Sequence, residues 1–199
     1  MRKTLHEVWM SDGKFWSGSK LLDKKHLQNC KVIPHRFYIL DLLPKNSICA
    51  ELGVSVGDFS KEILTRSDPK QLYLIESKSE LVDKLSYRFR ENEEILVECG
   101  YSWDVLNNFK DDFFDWVYID SDHSYDSTKL ELEISHKKVK EGGYILLHDY
   151  IWIDYISEKY KSYGVIKAVN EFCVNFNYEF IYISMEPNMY HTVCLRKLI

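Results

Sequence analysis

The 199-residue sequence contains no apolar run that approaches the roughly 20 residues needed to cross a bilayer. Its first residues, Met1–Glu7, also lack the apolar core of a secretory signal. Its five cysteines are scattered without C-x-x-C spacing, so the sequence indicates neither a disulfide framework nor a zinc site. We therefore expect a cytoplasmic protein with no membrane partner.

An excess of basic residues is absent as well. The chain carries 26 Lys and Arg against 31 Asp and Glu, a formal net charge of −5. A nucleic-acid-binding surface needs clustered Lys and Arg to neutralise phosphates, so this balance argues against a nucleic-acid partner. With 45% hydrophobic and 29% charged residues the composition is that of a globular domain, and we expect a small-molecule partner.

A strand, a glycine turn and a helix follow one another at the centre of the chain. The predicted strand Ile48–Leu52 is apolar apart from Glu51, Gly53 follows it, and a helical pattern runs from Gly57 to Arg66. Glycine lets a ligand approach the backbone closely, and the start of a helix presents free N–H groups. This turn is therefore predicted to form a ligand site.

Strands and helices alternate through the rest of the chain. Predicted strands at 71–76, 94–99 and 113–119 are separated by helices, whereas the last two strands, 178–184 and 191–197, follow each other directly. Alternation gives a parallel sheet with helices on both faces, and directly connected strands pair antiparallel. With further strands at 48–52 and 144–147, the prediction is an α/β fold: a doubly wound, mainly parallel, seven-stranded sheet with an antiparallel edge hairpin.

The chain is predicted to form one structural domain with an N-terminal extension. Residues 1–43 are interpreted as an arm with cap helices, and residues 44–199 as the ligand-binding unit. A charged helix over 127–140 is predicted to end at Gly142–Gly143 in a left-handed turn. The Lys and Glu residues at 129–141 are interpreted as its solvated face.

Polar or glycine residues follow five successive strands, and such carboxyl ends meet at one sheet edge, where ligands bind. Glu76 stands 23 residues after Gly53, close to the spacing at which an acid accepts hydrogen bonds from a ribose. Ser55 occupies the place of the second glycine of a dinucleotide site, which disfavours NAD and indicates a nucleoside without a pyrophosphate. The strand endings are Glu51 to Gly53, Glu76, Gly100-Tyr101-Ser102, Asp120-Ser121-Asp122-His123 and His148-Asp149-Tyr150.

Taken together, these motifs resemble the class I S-adenosylmethionine-dependent methyltransferases, with their Rossmann-like fold. The closer resemblance is to the small-molecule O-methyltransferases of the catechol and macrolide-sugar types, and it covers roughly residues 33–199. The matching motifs are Glu51-Leu52-Gly53-x-x-x-Gly57, Glu76, Gly100-Tyr101-Ser102, Asp120-x-Asp122-His123-Ser124-Tyr125, Gly142-Gly143 with His148-Asp149-Tyr150, and the helix beginning at Val165.

The resemblance implies S-adenosylmethionine as the cofactor and a small hydroxylated acceptor, such as a sugar or a natural product. Glu76 would hold the ribose, and Ser102 and Trp103 would flank the adenine. The residues that it assigns to cofactor binding are Glu51, Gly53, Ser55, Gly57, Glu76, Ser102, Trp103 and Asp120.

Methyl transfer from a sulfonium is an in-line displacement, so the enzyme mainly positions the acceptor and removes its proton. His123 is the predicted base, with Asp120 and Asp122 beside it as further catalytic residues, because an imidazole titrates near neutral pH. In metal-dependent relatives the fourth and fifth strand ends bind a divalent cation such as Mg²⁺. Here those positions hold Asp120 and Asp149, and the neighbouring His148 would favour a softer metal or none.

Several alternatives stay open. The chain could be a nicotinamide-dependent oxidoreductase, which Ser55 disfavours, or a non-catalytic module that binds a nucleoside cofactor. Asp122 and His123 could cap the helix that follows them, and His148 could be a hydrogen-bonded core residue.

The acceptor pocket is expected to come from residues 1–30 and 150–163. The cap helices and the edge hairpin are candidate surfaces for a homodimer. The aromatic residues of the second segment could line the pocket or pack in the core, and they are Tyr150, Trp152, Tyr155, Tyr160 and Tyr163.

Overall fold

A computed structural model describes residues 19–156 and 161–198 of the chain. The predicted N-terminal arm, with Trp9 and Trp16, lies outside these residues, as does Tyr160 of the aromatic run. Within the two described ranges no helix has the length and apolar character needed to cross a membrane.

Helices and strands alternate along the described chain, as the sequence predicts. In chain order the elements are α1 (Lys24–Leu27), β1 (Lys31–Ile33), α2 (Arg36–Leu42), β2 (Ile48–Leu52), α3 (Asp58–Ser67), β3 (Gln71–Glu76), α4 (Ser79–Arg88), β4 (Ile95–Cys99), α5 (Ser102–Asn107), β5 (Phe114–Ile119), α6 (Tyr125–Lys138), β6 (Val139–Leu147), β7 (Ile153–Asp154), β8 (Lys161–Ser162), α7 (Val165–Phe176), β9 (Tyr178–Ser184) and β10 (Val193–Lys197).

Eight strands form one sheet in the order β1-β9-β10-β6-β5-β2-β3-β4. The pairs from β6 to β4 are parallel, and β10 runs antiparallel to both β6 and β9. The predicted doubly wound, mainly parallel sheet is therefore confirmed. The strand count of seven was wrong, and the hairpin is not at the edge, because β1 pairs with β9 from outside. Three residues, two of them exposed, are too few to show a strand pattern in sequence.

The core lies on both faces of this sheet, and β5 illustrates why. Successive side chains of a strand point to opposite faces. Val117 and Ile119 accordingly pack into one apolar cluster with helices α6 and α7, while Trp116 and Tyr118 pack into the other with α2 and α3. The carboxyl ends of the central parallel strands are thereby held in register at one edge of the sheet.

The end of helix α6 differs from the prediction. The helix stops at Lys138, and Val139 is already extended, so no glycine turn closes it. The pair Gly142–Gly143 lies inside β6, where the pairing with β5 shifts register. The strand begins directly after the helix, so these glycines do not end the helix. They lie where the pairing of β6 with β5 is irregular.

Candidate active site

A cleft of about 850 Å³, including the space that opens to solvent, lies over the carboxyl ends of β2, β3, β4 and β5. Most of the predicted cofactor-binding residues meet there. The cleft is lined by Gly53, Ser55, Ile75, Glu76, Ser77, Lys78, Leu81, Gly100, Tyr101, Ser102, Trp103, Asp120, Ser121 and Asp122.

The glycine turn after β2 passes very close to the end of β5. Gly53 has a φ of +80°, and a Cβ atom built on it would lie 2.3 Å from the backbone oxygen of Asp120. Its N–H donates to the carbonyl of Ile75 at 2.9 Å, which ties the turn to β3 as well. Gly53 is thus needed for its backbone conformation and for the approach of three strand ends beneath the cleft.

Glu76 occupies a fixed position in the cleft. Its side chain accepts hydrogen bonds from two backbone N–H groups, that of Ser55 at 2.9 Å and that of Lys78 at 3.0 Å. The Ser77 hydroxyl also donates to Oε1, at the long distance of 3.4 Å. Oε2 keeps a free lone pair, and a ligand hydroxyl can replace Ser77 at Oε1, so both oxygens can accept from a ligand. The arrangement presents a pre-oriented acceptor pair, which is what two adjacent hydroxyl groups require.

Glu51 and Gly57 do not line the cleft. The carboxyl group of Glu51 is buried and accepts a hydrogen bond from the Ser60 hydroxyl on α3. A Cβ atom on Gly57 would meet the side chains of Leu85 and Phe89 at 2.7 and 2.8 Å. Both residues therefore stabilise the turn without lining the cleft. Gly57 allows close packing between α3 and α4, and Glu51 is buried against α3.

The Glu51→Gln variant is expected to be more stable than the wild type above neutral pH. Burial raises the pKa of Glu51 from 4.5 to about 8, although Ser60 opposes the rise. Between these values the folded protein keeps a proton that the unfolded chain loses, so the free energy of unfolding falls as pH rises through this window. Glutamine removes that loss, and the gain should be about 2 to 4 kcal/mol at pH 8 and should vanish near pH 4.

Urea unfolding at pH 4, 6 and 8 measures this effect. The half-exposed Glu133 on α6 provides the control, because Glu133→Gln removes only a surface ion pair with Lys129 and should change stability by less than about 1 kcal/mol at each pH. A gain from Glu51→Gln that does not depend on pH would contradict the assignment of a raised pKa.

Asp120, His123 and Asp149 converge beside the cleft. The Nε2 atom of His123 lies 3.1 Å from Oδ1 of Asp120 and 3.2 Å from Oδ2 of Asp149. The ring of Tyr163 stacks on the imidazole with centroids 4.7 Å apart. Asp120 also lines the cleft, so the cluster adjoins the space in which a ligand would lie.

The electrostatics of the cluster favour an imidazole that can take up a proton. Burial lowers the pKa of His123, but the hydrogen bond to Asp120 and the charge of Asp149 outweigh it and raise the pKa above the ordinary value of 6.5. Burial raises the pKa of Asp149 to about 6. Both His123 and Asp149 have positive φ angles, 61° and 57°, a backbone conformation that concentrates at functional sites.

His148 lies on the far side of Asp149 from this cluster. Its Nδ1 atom is 2.9 Å from the Thr192 hydroxyl, and its Nε2 atom is 3.2 Å from Oδ1 of Asp149. Burial lowers the pKa of His148 to about 4, so the ring is neutral at pH 7. Among the described residues, Asp120, His123 and Asp149 offer ligand atoms within 4.8 Å of one another, so His123 stands where the prediction had His148.

Asp122 has the hydrogen bonds of a helix cap. Its side chain accepts from the backbone N–H of Ser124 at 2.8 Å and from the hydroxyl of Ser127 at 3.0 Å. Burial raises the pKa of Asp122, but these donors outweigh it and the pKa falls below the ordinary value. The side chain lines the cleft edge as an ionised carboxylate whose oxygens are turned toward the start of α6.

Two residues near the site were not predicted. Arg36 on α2 brings its guanidinium to 3.9 Å from Oδ2 of Asp120 and lies over the ring of Phe59. Glu131 on α6 is fully buried, although the charged run around it suggested a solvated face. Counted from the buried Thr128, Glu131 and the buried Leu132 and Ser135 stand at i+3, i+4 and i+7, the spacing of one helix face, which would have indicated the inward face.

A family model described as a methyltransferase domain matches residues 50–150 of the chain. That span includes every residue that lines the cleft and all three members of the Asp120, His123 and Asp149 cluster. No curated protein matches the chain.

Solved structures of similar fold come from several organisms. The tRNA methyltransferase TrmK of Bacillus subtilis has a TM-score of 0.62 and 14% identity, covering 83% of this chain and 67% of its own. Fibrillarin of Aeropyrum pernix, with natively bound S-adenosyl-L-methionine, has a TM-score of 0.58 and 14% identity, covering 76% and 67%. TYW2 of M. jannaschii, in complex with AdoMet, has a TM-score of 0.54 and 14% identity, covering 90% and 79%.

These likenesses concern the fold, because the identities are low. The chain spans only 42% of the length of a matched structure from Galdieria sulphuraria and 49% of YcgJ from Bacillus subtilis.

Proposed function

The chain belongs to the methyltransferase domain family, and from this premise we propose that it transfers a methyl group from S-adenosylmethionine to the hydroxyl of a small acceptor. A sugar or a natural product fits that description. The observation that carries the proposal is the position of His123, whose Nε2 atom lies within 3.2 Å of two carboxylates beside the cleft, one of them the cleft-lining Asp120.

Support for the cofactor comes from the shape and chemistry of the cleft. Glu76 offers a fixed acceptor pair for the two ribose hydroxyls. The rings of Tyr101 and Trp103 are stacked 4.9 Å apart with an interplanar angle of 5°, and they form an aromatic wall for a purine. The methionine part would then extend over Gly53 toward Asp120, next to the acid and histidine cluster.

The proposed chemistry uses His123 as the general base. The acceptor oxygen attacks the methyl carbon as the bond from that carbon to sulfur breaks, and the cofactor leaves as a neutral thioether. The Nε2 atom of His123 faces two carboxylates and therefore carries a hydrogen that it donates to them. Nδ1 is the nitrogen left to take the hydroxyl proton, and the resulting imidazolium lies beside the carboxylates of Asp120 and Asp149. These fixed charges stabilise the positive charge as it forms, and the thioether carries none.

A divalent cation is a second proposal for the same cluster. Two carboxylate oxygens and one imidazole nitrogen within 4.8 Å form a reasonable donor set, and nitrogen favours a metal softer than Mg²⁺. Asp120, His123 and Asp149 would hold the ion, which would lower the pKa of the acceptor hydroxyl. The Arg36 guanidinium already supplies positive charge beside Asp120 and would compete with it.

A small acceptor is favoured over RNA, although a structural neighbour is named a tRNA methyltransferase. The net charge of −5 leaves no excess of positive charge to neutralise phosphates. Turnover assays with S-adenosylmethionine against sugars, phenols and tRNA distinguish the acceptor classes by release of S-adenosylhomocysteine. Product with tRNA alone would overturn the small-acceptor proposal.

Glu76→Ala is expected to abolish stabilisation by the cofactor product. A ligand at one hundred times its dissociation constant stabilises the folded state by about 2.7 kcal/mol, which raises the melting temperature by roughly 5 to 10 °C for a domain of this size. Thermal unfolding of the wild type with S-adenosylhomocysteine should show this shift. The variant should lose most of it, because the ribose loses its acceptor pair.

Glu80→Ala serves as the matched control, since this exposed acid lies in the first turn of α4 and does not line the cleft. It should keep the full shift. A shift of the wild type with NAD but not with S-adenosylhomocysteine would contradict the methyltransferase proposal and favour an oxidoreductase.

A further inference from the structure

Two serine hydroxyls on the wall of the cleft share one buried carboxylate. Ser102, at the start of α5, and Ser121, after β5, both line the cleft. Each donates its hydroxyl hydrogen to Glu131 of α6, Ser102 to Oε1 and Ser121 to Oε2 at 2.8 Å. Glu131 has no solvent exposure. Through the two serines it connects the segments that follow β4 and β5, on the side of the wall away from the cleft.

This arrangement fixes the direction of the hydrogen bonds that the wall can make. A serine hydroxyl has one hydrogen to donate and two lone pairs that accept. An ionised carboxylate only accepts, so it takes the hydrogen of both serines. Toward the cleft, the hydroxyl oxygens of Ser102 and Ser121 are left with lone pairs alone, so these two hydroxyls can only accept there.

We infer that Glu131 is a positioning residue that makes Ser102 and Ser121 obligate acceptors and thereby selects a 6-amino purine over a 6-oxo purine at the base end of the cleft. The inference rests on the proposed function. An exocyclic amino group donates to such a wall, whereas a carbonyl oxygen in its place would face lone pairs and lose its hydrogen bond. Sites built to pair with a donor reject analogues that lack it.

The purine belongs at this wall because of what surrounds it. Ser102 lies between Tyr101 and Trp103, whose stacked rings provide an aromatic surface. The apolar side chains of Ile75 and Leu81 line the same cleft. Glu76, the fixed acceptor pair for the ribose, ends the strand next to the one that precedes Ser102.

Replacing Glu131 by glutamine preserves the shape of the side chain and changes only its hydrogen bonding. The amide nitrogen donates to one serine oxygen, and that serine hydrogen becomes free to turn into the cleft. The wall can then donate to a 6-oxo group. The variant should therefore lose selectivity between the two purines, whereas a merely structural change would weaken both ligands in parallel.

The test is isothermal titration at pH 8.5 with S-adenosylhomocysteine and its deaminated analogue S-inosylhomocysteine. Burial raises the pKa of Glu131 to about 7, so the side chain is ionised at this pH. The wild type should bind the amino ligand about 10- to 100-fold more tightly. Glu131→Gln should reduce this ratio to below about fivefold. Glu133→Gln, two residues further along α6 and half-exposed, should keep the wild-type ratio.

A wild-type ratio near one, or an unchanged ratio in Glu131→Gln, would overturn the inference while the proposed function stands. Absence of binding by either ligand to the wild type would overturn both. Ser102→Ala gives a second measurement should Glu131→Gln fold poorly. It removes one acceptor and should lower the ratio mainly by weakening S-adenosylhomocysteine, and an unchanged ratio would count against the inference.

Discussion

Replacing His123 by alanine is expected to lower the rate of methyl transfer by about 10²- to 10⁴-fold, the usual contribution of a positioned general base. Binding of S-adenosylhomocysteine should persist, because His123 is not among the residues that line the cleft. Turnover and thermal shift, measured on the same preparation, separate the two effects. Added imidazole should restore part of the rate, since it can occupy the space beside Asp120 and Asp149.

His136→Ala is the control for this experiment. His136 lies in the last turn of α6, where its Nδ1 atom is 3.1 Å from the Tyr178 hydroxyl, and it does not line the cleft. Its removal should leave the rate within a few-fold of the wild type. A His123→Ala protein with an unaltered rate would exclude His123 as the base.

Gly53→Ala is expected to be the most destabilising of these changes. An L-residue at positive φ costs about 1 to 2 kcal/mol, and the added Cβ would also collide with the backbone of Asp120 at 2.3 Å. Overpacking of this kind costs a further 1 to 3 kcal/mol, so the total loss should be about 3 to 5 kcal/mol. Urea unfolding gives the value directly, and cofactor binding should weaken as the turn shifts.

Gly142→Ala isolates the steric part of that loss. Gly142 has nearly the same φ, +77°, but a Cβ atom there would meet nothing within 4 Å. Its replacement should cost only the conformational part, about 1 to 2 kcal/mol. Equal losses at the two glycines would mean that the turn after β2 can move away from β5, and that the close approach is not required.

Elements with a long and regular pattern could be predicted from the sequence. The predicted helix start at Val165 and the predicted bounds of strand Tyr178–Ser184 agree with the structure, because their apolar periods persist over several turns or alternations. Strand β1 has three residues and no such period, and only its partner β9 makes it a strand. Its pairing with β9 in the folded protein, rather than its local sequence pattern, therefore determines that β1 is a strand.

The residues of the site likewise fall into those that the sequence predicts and those that it does not. Positions set by the backbone, such as Gly53, Glu76 and Asp120 at strand ends, follow from topology and were placed in the cleft by the sequence. Positions that depend on the direction of a side chain did not follow. Sequence spacing cannot tell that His148 turns toward Thr192, or that Arg36 reaches Asp120 from a separate helix.

The division at residue 43 between a cap and a ligand-binding unit remains a prediction, but the cap is tied to the opposite end of the chain. Residues 24–33 pack against β9, through β1 and through His26, whose Nδ1 atom lies 2.7 Å from the carbonyl oxygen of Tyr178. Their contacts thus join segments about 150 residues apart.

This connection has a consequence for the order of folding during synthesis. Residues 24–33 leave the ribosome about 150 residues before their partner strand β9. Residues 24–33 must therefore dock last, after a long loop has closed. Until they do, the outer edge of β9 presents unpaired backbone N–H and C=O groups, and this is the interval in which a nascent chain is most exposed to edge-to-edge aggregation.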